Sequence, residues 1–287
     1  MTQVAVVETV RDLRRAVATW HAAGERVALV PTMGALHEGH LSLVKKARQA
    51  NGAVAVTIFV NPTQFNEGAD FDRYPRTLKR DMELLEPTGC DLVFAPDAAQ
   101  MYPPGFAASI DVGPVARPLE GAMRPGHFAG VATVVCKLLN IVQPTVAYFG
   151  QKDAQQLAVI RRMAADLDLP FAIEAAPTVR EADGLAMSSR NVHLTPEQRR
   201  QAPALHRALR LAEAAYGGGE RDAEALRAAM RGVLAGAALG RVEYASIADP
   251  VTLAELETVG EAGALASLAV RFGDTRLIDN LVLGPAS

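Results

Sequence analysis

A chain of 287 residues that is 49% hydrophobic and 21% charged has the composition of a globular enzyme, which excludes disordered, collagenous and coiled-coil classes. Its net charge of -3 and isoelectric point near 6.1 provide no basic footprint for nucleic acid or anionic lipid. The length suits one large domain or two unequal ones.

The opening stretch, MTQVAVVETVRDLRRAV, mixes Glu8 and Asp12 with its arginines and has no uninterrupted apolar core, so an export signal is not expected. The next elements follow in order. Residues 10–22 predict a helix, and short apolar or β-branched runs at 26–30, 54–60, 91–95, 146–149 and 172–179, closed by Pro, Gly or Asn, predict strands. Helix-period segments at 41–49, 76–85, 131–141 and 154–166 fill the gaps. Alternating strands and helices describe a parallel sheet wrapped by helices, so residues 1–178 predict an α/β domain. The longest apolar run, 131–142, carries Lys137 and Asn140 and falls short of the roughly 20 residues a bilayer crossing needs.

After Val179 the texture changes. A polar loop, READGLAMSSRN, leads to Thr195-Pro196-Glu197, where threonine suits an N-cap and proline the first helical position. Two Ala/Arg/Leu-rich helical stretches flank the glycines at 217–219, and VEYASI, ALASLAVRF and TRLIDNLVL read as strands. Residues 179–287 therefore predict a smaller α+β domain. Cys90 and Cys136 lack any paired spacing, which suits buried free thiols in a reducing compartment and makes a cytoplasmic location the expectation.

Four clusters carry chemistry. The strand RVALV runs into PTMGALHEGHLSLV, setting Gly34, His37, Gly39 and His40 at a strand-to-helix turn. A helix N-terminus offers unpaired N–H groups and about half a positive charge, and histidines three apart share one helical face, so this turn predicts a polyphosphate site. Zinc is the rival for two histidines, but metalloprotease helices space them four apart with a glutamate beside the first. The strand VAVTIFV ends in NPTQF, putting Asn61 and Gln64 at the carboxyl edge of the sheet, where open α/β folds bind ligands. Neutral amides suit a substrate bearing hydroxyl and carboxylate groups; Asn61 before proline is equally a turn former. TVAYFG ends in GQKDAQQ, with Gly150, Lys152, Asp153, Gln155 and Gln156 at a further junction. Five lysines stand against 24 arginines, so Lys152 is conspicuous as a compact charge for a phosphate that grows more negative in a transition state. Asp153 serves as a helix N-cap or as a ribose or magnesium contact. MSSRN, residues 187–191, joins two hydroxyls to a guanidinium in a loop able to clasp phosphate and close over it.

Together, HxGH, NPTQF, GQKDxQQ and MSSRN resemble the motif set of the pantothenate synthetase (pantoate-β-alanine ligase) family, and the resemblance runs from PTMGALHEGH to TRLIDN in the tail. The first and fourth clusters are also similar to the paired signature of the wider nucleotidyltransferase class that includes class I aminoacyl-tRNA synthetases. The resemblance implies a Rossmann-like nucleotidyltransferase domain binding ATP and pantoate, a C-terminal lid domain, magnesium accompanying ATP, and a homodimer. It implies ATP binding by Met33, Gly34, Ala35, Leu36, His37, Glu38, Gly39 and His40, by Gly150, Gln151, Lys152 and Asp153, and by Val179, Met187, Ser188, Ser189 and Arg190. Gln64 is expected to hold pantoate and β-alanine, and Gln156 pantoate. His40 matches the proton-donor position, with His37 and Lys152 as its companions in catalysis. Gln151 stands where the family often has glutamate, which leaves Lys152 in place but removes an acidic group. The implied reaction has two steps: the pantoate carboxylate attacks the α-phosphorus of ATP and expels pyrophosphate, then the β-alanine amine attacks the acyl-adenylate and expels AMP. Magnesium ligands are not legible, Asp81 and Asp153 being equal candidates.

Two other readings are open to the sequence. An enzyme joining AMP to a phosphate-bearing acceptor would need more cationic residues than the middle clusters supply. A nucleotide-binding module without catalysis would hold ATP and release no pyrophosphate.

Overall fold

Five of the apolar runs align as parallel strands in a computed structural model that describes residues 4–65 and 68–284. Two compact units divide the chain: Met1–Gly150 with Val159–Pro177, and Gln151–Ala158 with Thr178–Ser287. The segment Gln151–Ala158 thus groups with the second unit, whereas the sequence reading draws a single boundary after residue 178.

In chain order, β1 (Ala5–Val7) precedes α1 (Val10–Ala22), and β2 (Val27–Thr32) leads to α2 (Glu38–Ala50) and β3 (Ala53–Ile58). Next come α3 (Gly68–Arg73), α4 (Leu78–Leu85), β4 (Leu92–Phe94), α5 (Ala98–Met101), α6 (Glu120–Met123) and α7 (His127–Val142). Strand β5 (Val146–Gly150), helix α8 (Ala154–Asp166) and strand β6 (Ala172–Ala176) complete the sheet, whose order is β1-β4-β3-β2-β5-β6, every pair parallel. β1 escapes sequence reading because three residues show no period; its pairing with β4, Val6 opposite Val93, selects it. Helix α7 begins four residues ahead of its apolar run because Gly126 turns the chain through a left-handed step, φ 82°, directly before His127.

Strands buried on both faces explain the continuous apolar runs. Ala28 and Val30 pack with Leu41, Val44 and Ala47 of α2. Val27 and Leu29 point the other way because strand side chains alternate, and α1 and α7 contact β2. Chain order reverses between β2 and β5, which pair through Ala28 and Val146, so their carboxyl ends flank the switch point where open α/β sheets bind ligands. Cys90 is buried, and burial pushes its thiol up to about 12, so no reactive thiolate forms near neutral pH.

The second unit opens its helices as its sequence anticipates. Thr195 Oγ1 accepts from the Gln198 N–H at 3.3 Å and Gln198 Oε1 accepts from the Thr195 N–H at 2.9 Å, a reciprocal cap for α9 (Pro196–Gln201). Helices α10 (Ala204–Gly217) and α11 (Ala223–Ala235) precede an antiparallel sheet of β7 (Gly240–Ala248), β8 (Ala264–Phe272) and β9 (Thr275–Leu283), in that order. Alternate residues Ala264, Ala266, Leu268, Val270 and Phe272 join Leu205, Leu209, Leu226 and Met230 in one core. Among the described residues no helix is long and apolar enough to cross a membrane.

Candidate active site

Beyond β2 the backbone takes two left-handed steps, φ 83° at Gly34 and 51° at Ala35. An alanine rarely adopts that region, and here hydrogen bonds hold it. The Ala35 and Leu36 N–H groups donate to Asp81 Oδ2 and Oδ1 at 3.1 and 2.9 Å, and the Thr77 hydroxyl donates to the same carboxylate. Asp81 is 1% exposed, and a carboxylate so buried requires such donors. Asp81 therefore fixes the turn. The Gly34 N–H is likewise engaged, by Thr32 Oγ1 at 3.2 Å. Three amides of the turn that the sequence reading offered to phosphate are thus engaged within the turn's own support.

Helix α2 starts at Glu38, not at 41, which changes the relation of the histidines. His37 is the N-cap in extended backbone and His40 lies in the first turn, so the pair brackets the helix start. Nδ1 of His37 accepts from the Gly39 N–H at 3.2 Å, and Nδ1 of His40 accepts from the His37 N–H at 3.3 Å. The rings sit 4.1 Å apart, tilted by 43°. With each Nδ1 accepting, a neutral ring carries its proton on Nε2, so both imidazoles become donors at that atom beside a helix N-terminus.

Asn61 caps a short 3-10 turn, Pro62–Gln64, beyond β3. Its Oδ1 accepts from the Thr63 N–H and hydroxyl at 3.3 and 2.9 Å and from the Tyr102 hydroxyl at 2.6 Å. Its Nδ2 donates to Gln64 Oε1 at 3.1 Å and to the Gly130 carbonyl at 3.2 Å. At 1% exposure the side chain is enclosed, and the turn-former reading accounts for what it does. Gln64, oriented by Asn61, extends Nε2 to Met33 Sδ at 3.0 Å, so the first two clusters meet.

Arg124, His127 and Gly130 form a support that sequence reading missed. His127 Nδ1–H donates to the Gln64 carbonyl at 2.8 Å, Arg124 Nη2 donates to the same oxygen at 3.2 Å, and Arg124 Nη1 lies 3.3 Å from His127 Nε2. A Cβ at Gly130 would run into the Thr63 carbonyl, so only glycine allows α7 to approach the turn this closely. Gly126-His127 ahead of an apolar helix was the available signal.

The other clusters are built within the second unit, apart from Gly150, which ends β5. Gln151–Asp153 form a 3-10 turn before α8, and Lys152 Nζ lies 3.4 Å from Asp153 Oδ1, with side chains 19% and 47% exposed. Gln155 is buried and Gln156 half-buried. Asn280 Nδ2 donates to the Gln151 and Lys152 carbonyls at 3.0 and 2.8 Å, and Gln151 Nε2 donates to Asn280 Oδ1 at 3.2 Å. The Gln151 side chain thus makes a neutral contact with the C-terminal sheet.

Val179 and Met187 face each other across a narrow loop, the Met187 N–H donating to the Val179 carbonyl at 2.9 Å. Ser188 caps a 3-10 helix, Ser189–His193, its Oγ accepting from the Arg190 N–H at 3.2 Å. Ser189 is half-buried and Arg190 exposed. Among the described residues no three His, Cys, Asp or Glu side chains are grouped to hold a metal ion.

Residues 5–282 match the family model described as pantoate-beta-alanine ligase. The pantothenate synthetase of Roseiflexus sp. (strain RS-1) is 61% identical over 278 residues, covering 97% of this chain and 99% of the relative. A pantothenate synthetase structure from Thermus thermophilus superposes with a TM-score of 0.92 at 48% identity, covering 98% of this chain and 100% of that one. A pantoate-beta-alanine ligase from Francisella tularensis, solved in complex with beta-gamma ATP and beta-alanine, superposes with a TM-score of 0.79 at 33% identity, covering 99% of each chain. This chain belongs to the pantoate-beta-alanine ligase family.

Proposed function

We infer that the chain condenses pantoate with β-alanine to pantothenate, consuming ATP and releasing AMP and pyrophosphate through a pantoyl-adenylate. The observation that carries this reading is the ligase-family match across residues 5–282. In the first step a pantoate carboxylate oxygen bonds to the α-phosphorus as the bond to the pyrophosphate oxygen breaks. In the second, the β-alanine nitrogen bonds to the activated carbonyl, AMP leaves with the electron pair of the cleaved C–O bond, and the nitrogen loses a proton.

His37 and His40 donate from Nε2 to phosphate oxygens, His40 as the proton donor, and Lys152 balances charge growing on the α-phosphate and pyrophosphate. The remainder of Met33–His40, Gly150–Asp153, Val179 and Met187–Arg190 bind ATP. Gln64 holds pantoate and then β-alanine, with Asn61 orienting it, and Gln156 holds pantoate. No protein nucleophile is required; alignment of the carboxylate with phosphorus supplies much of the rate.

Magnesium is proposed to come with ATP. Such an ion needs one or two carboxylates beside phosphate oxygens and water, and half-exposed Asp153 fits that requirement better than enclosed Asp81. When bound it neutralises phosphate charge. The second unit is proposed to act as a lid, the loop bearing Ser188 to Arg190 closing on ATP; equal protease cleavage there with and without ATP contradicts this. A homodimer in the cytoplasm is the expected form of the enzyme.

The test is pyrophosphate and AMP release from purified protein with ATP and magnesium, comparing no acid, pantoate alone, and pantoate with β-alanine. Sustained turnover only with both substrates, one AMP per pantothenate, is the expected result. No pyrophosphate under any condition overturns the reading.

A further inference from the structure

Side chains of adjacent strand residues point to opposite faces, and on β9 the neighbours Asp279 and Asn280 each hold a different ATP-assigned segment. Asn280 is 5% exposed. Its amide donates to two successive carbonyls, of Gln151 and Lys152, and accepts from the Gln151 side chain. Fixing two successive peptide planes fixes the direction in which the Lys152 side chain leaves the backbone. Asp279, 2% exposed, takes Arg180 in a two-point contact at 2.6 and 3.0 Å. Arg180 also donates to the Gly184 carbonyl at 3.1 Å, closing the hairpin that the Glu181–Leu185 and Met187–Val179 backbone bonds form. Ser188 follows directly. The Asn280 N–H donates to Asp279 Oδ1 at 2.8 Å, which joins the two contacts.

We propose that Asn280 and Asp279 are positioning residues for adenylation, Asn280 aiming Lys152 and Asp279 holding, through Arg180, the loop that carries Val179 and Met187 to Arg190. The inference rests on the assignment of Lys152 to charge stabilisation. It adds to that assignment the reason a cation on a short turn keeps one direction: a neutral amide on the C-terminal sheet grips the turn's carbonyls, so the support adds no charge beside the ammonium.

A double-mutant cycle on the full chain tests it, with single-turnover pyrophosphate release as the readout. Asn280→Ala is expected to slow release about 10- to 100-fold, below the loss for a direct donor, with KM for ATP within about threefold. In a Lys152→Ala background the same change is expected to cost under about threefold, because its action passes through Lys152. Losses that multiply fully in the double variant overturn the proposal, since a general structural effect behaves that way. Asn280→Asp keeps the shape but turns acceptors toward two carbonyls, so it is expected to lose at least as much as Asn280→Ala; wild-type-like release overturns the proposal. Asn280→Ser, which retains a donor, carries the same cycle if Asn280→Ala does not fold. Asp279→Asn is expected to raise KM for ATP about tenfold, the order of one lost charge-assisted bond, with kcat little changed; an unchanged KM overturns the Asp279 half. Wild-type turnover in Lys152→Ala alone overturns the functional reading of Lys152 and the inference with it, an outcome distinct from multiplying losses.

Discussion

In the first unit the groups assigned to substrate are held by one another. The His40 ring caps the His37 N–H and the His37 ring caps that of Gly39, Asn61 grips Gln64, and Arg124 and His127 grip the Gln64 carbonyl. In the second unit the loop bearing Ser188, Ser189 and Arg190 is anchored at its base, by the Val179–Met187 bond and the Arg180–Asp279 pair, while Arg190 itself is exposed. The contrast separates two uses of polar groups. Donors fixed beforehand stabilise developing charge without reorganising in the transition state, whereas a loop that engages its ligand on arrival contributes mainly to binding.

Variants on both sides can break or sharpen that division. Lys152→Ala and His40→Ala are expected to lower kcat about 100- to 1000-fold, or about 3 to 4 kcal/mol of barrier, with folding intact; wild-type turnover in either, measured by pyrophosphate release, removes that residue from the chemistry. Gly130→Ala forces α7 off the Pro62–Gln64 turn and is expected to cost about 1 to 3 kcal/mol in a urea titration. A KM for pantoate unchanged in that variant contradicts the claim that the turn's placement matters. Arg190→Ala is expected to raise KM for ATP about tenfold with kcat little altered, since about 1.4 kcal/mol of binding corresponds to that factor; a kcat loss equal to that of Lys152→Ala erases the distinction.

The smallest expected effect is on stability with pH. Burial holds His206 below the usual histidine range, and the nearby Arg180 cation adds to the depression. As pH falls below about 6.5 the unfolded chain binds this proton before the folded chain does. Stability present above that pH is therefore lost as pH falls through the folded value. Thermal melts of His206→Asn are expected to show a flatter dependence over that window, and an unchanged slope contradicts the assignment.

The parallel sheet was legible because strands buried on both faces leave continuous apolar runs, as in RVALV and VAVTIFV. The three residues of β1 left no such trace, since pairing with β4 and not local pattern selects them. His37, His40, Gln64 and Lys152 were legible as chemistry-bearing types at strand ends. Their supports were not. Asp81, His127 and Asn280 act on backbone atoms that lie 45, 63 and 128 positions away at Leu36, Gln64 and Lys152, and no local period or spacing encodes a contact of that kind. The same distance hid the occupation of the Ala35 and Leu36 amides, which a helix N-terminus alone presents as open.

Pantoate-dependent exchange of labelled pyrophosphate into ATP, with β-alanine withheld, tests the adenylate chemistry most directly. Label is expected in ATP only when pantoate and magnesium are present, because the first step reverses without the amine. Exchange that requires β-alanine, or none with active enzyme, would contradict a free-standing pantoyl-adenylate step.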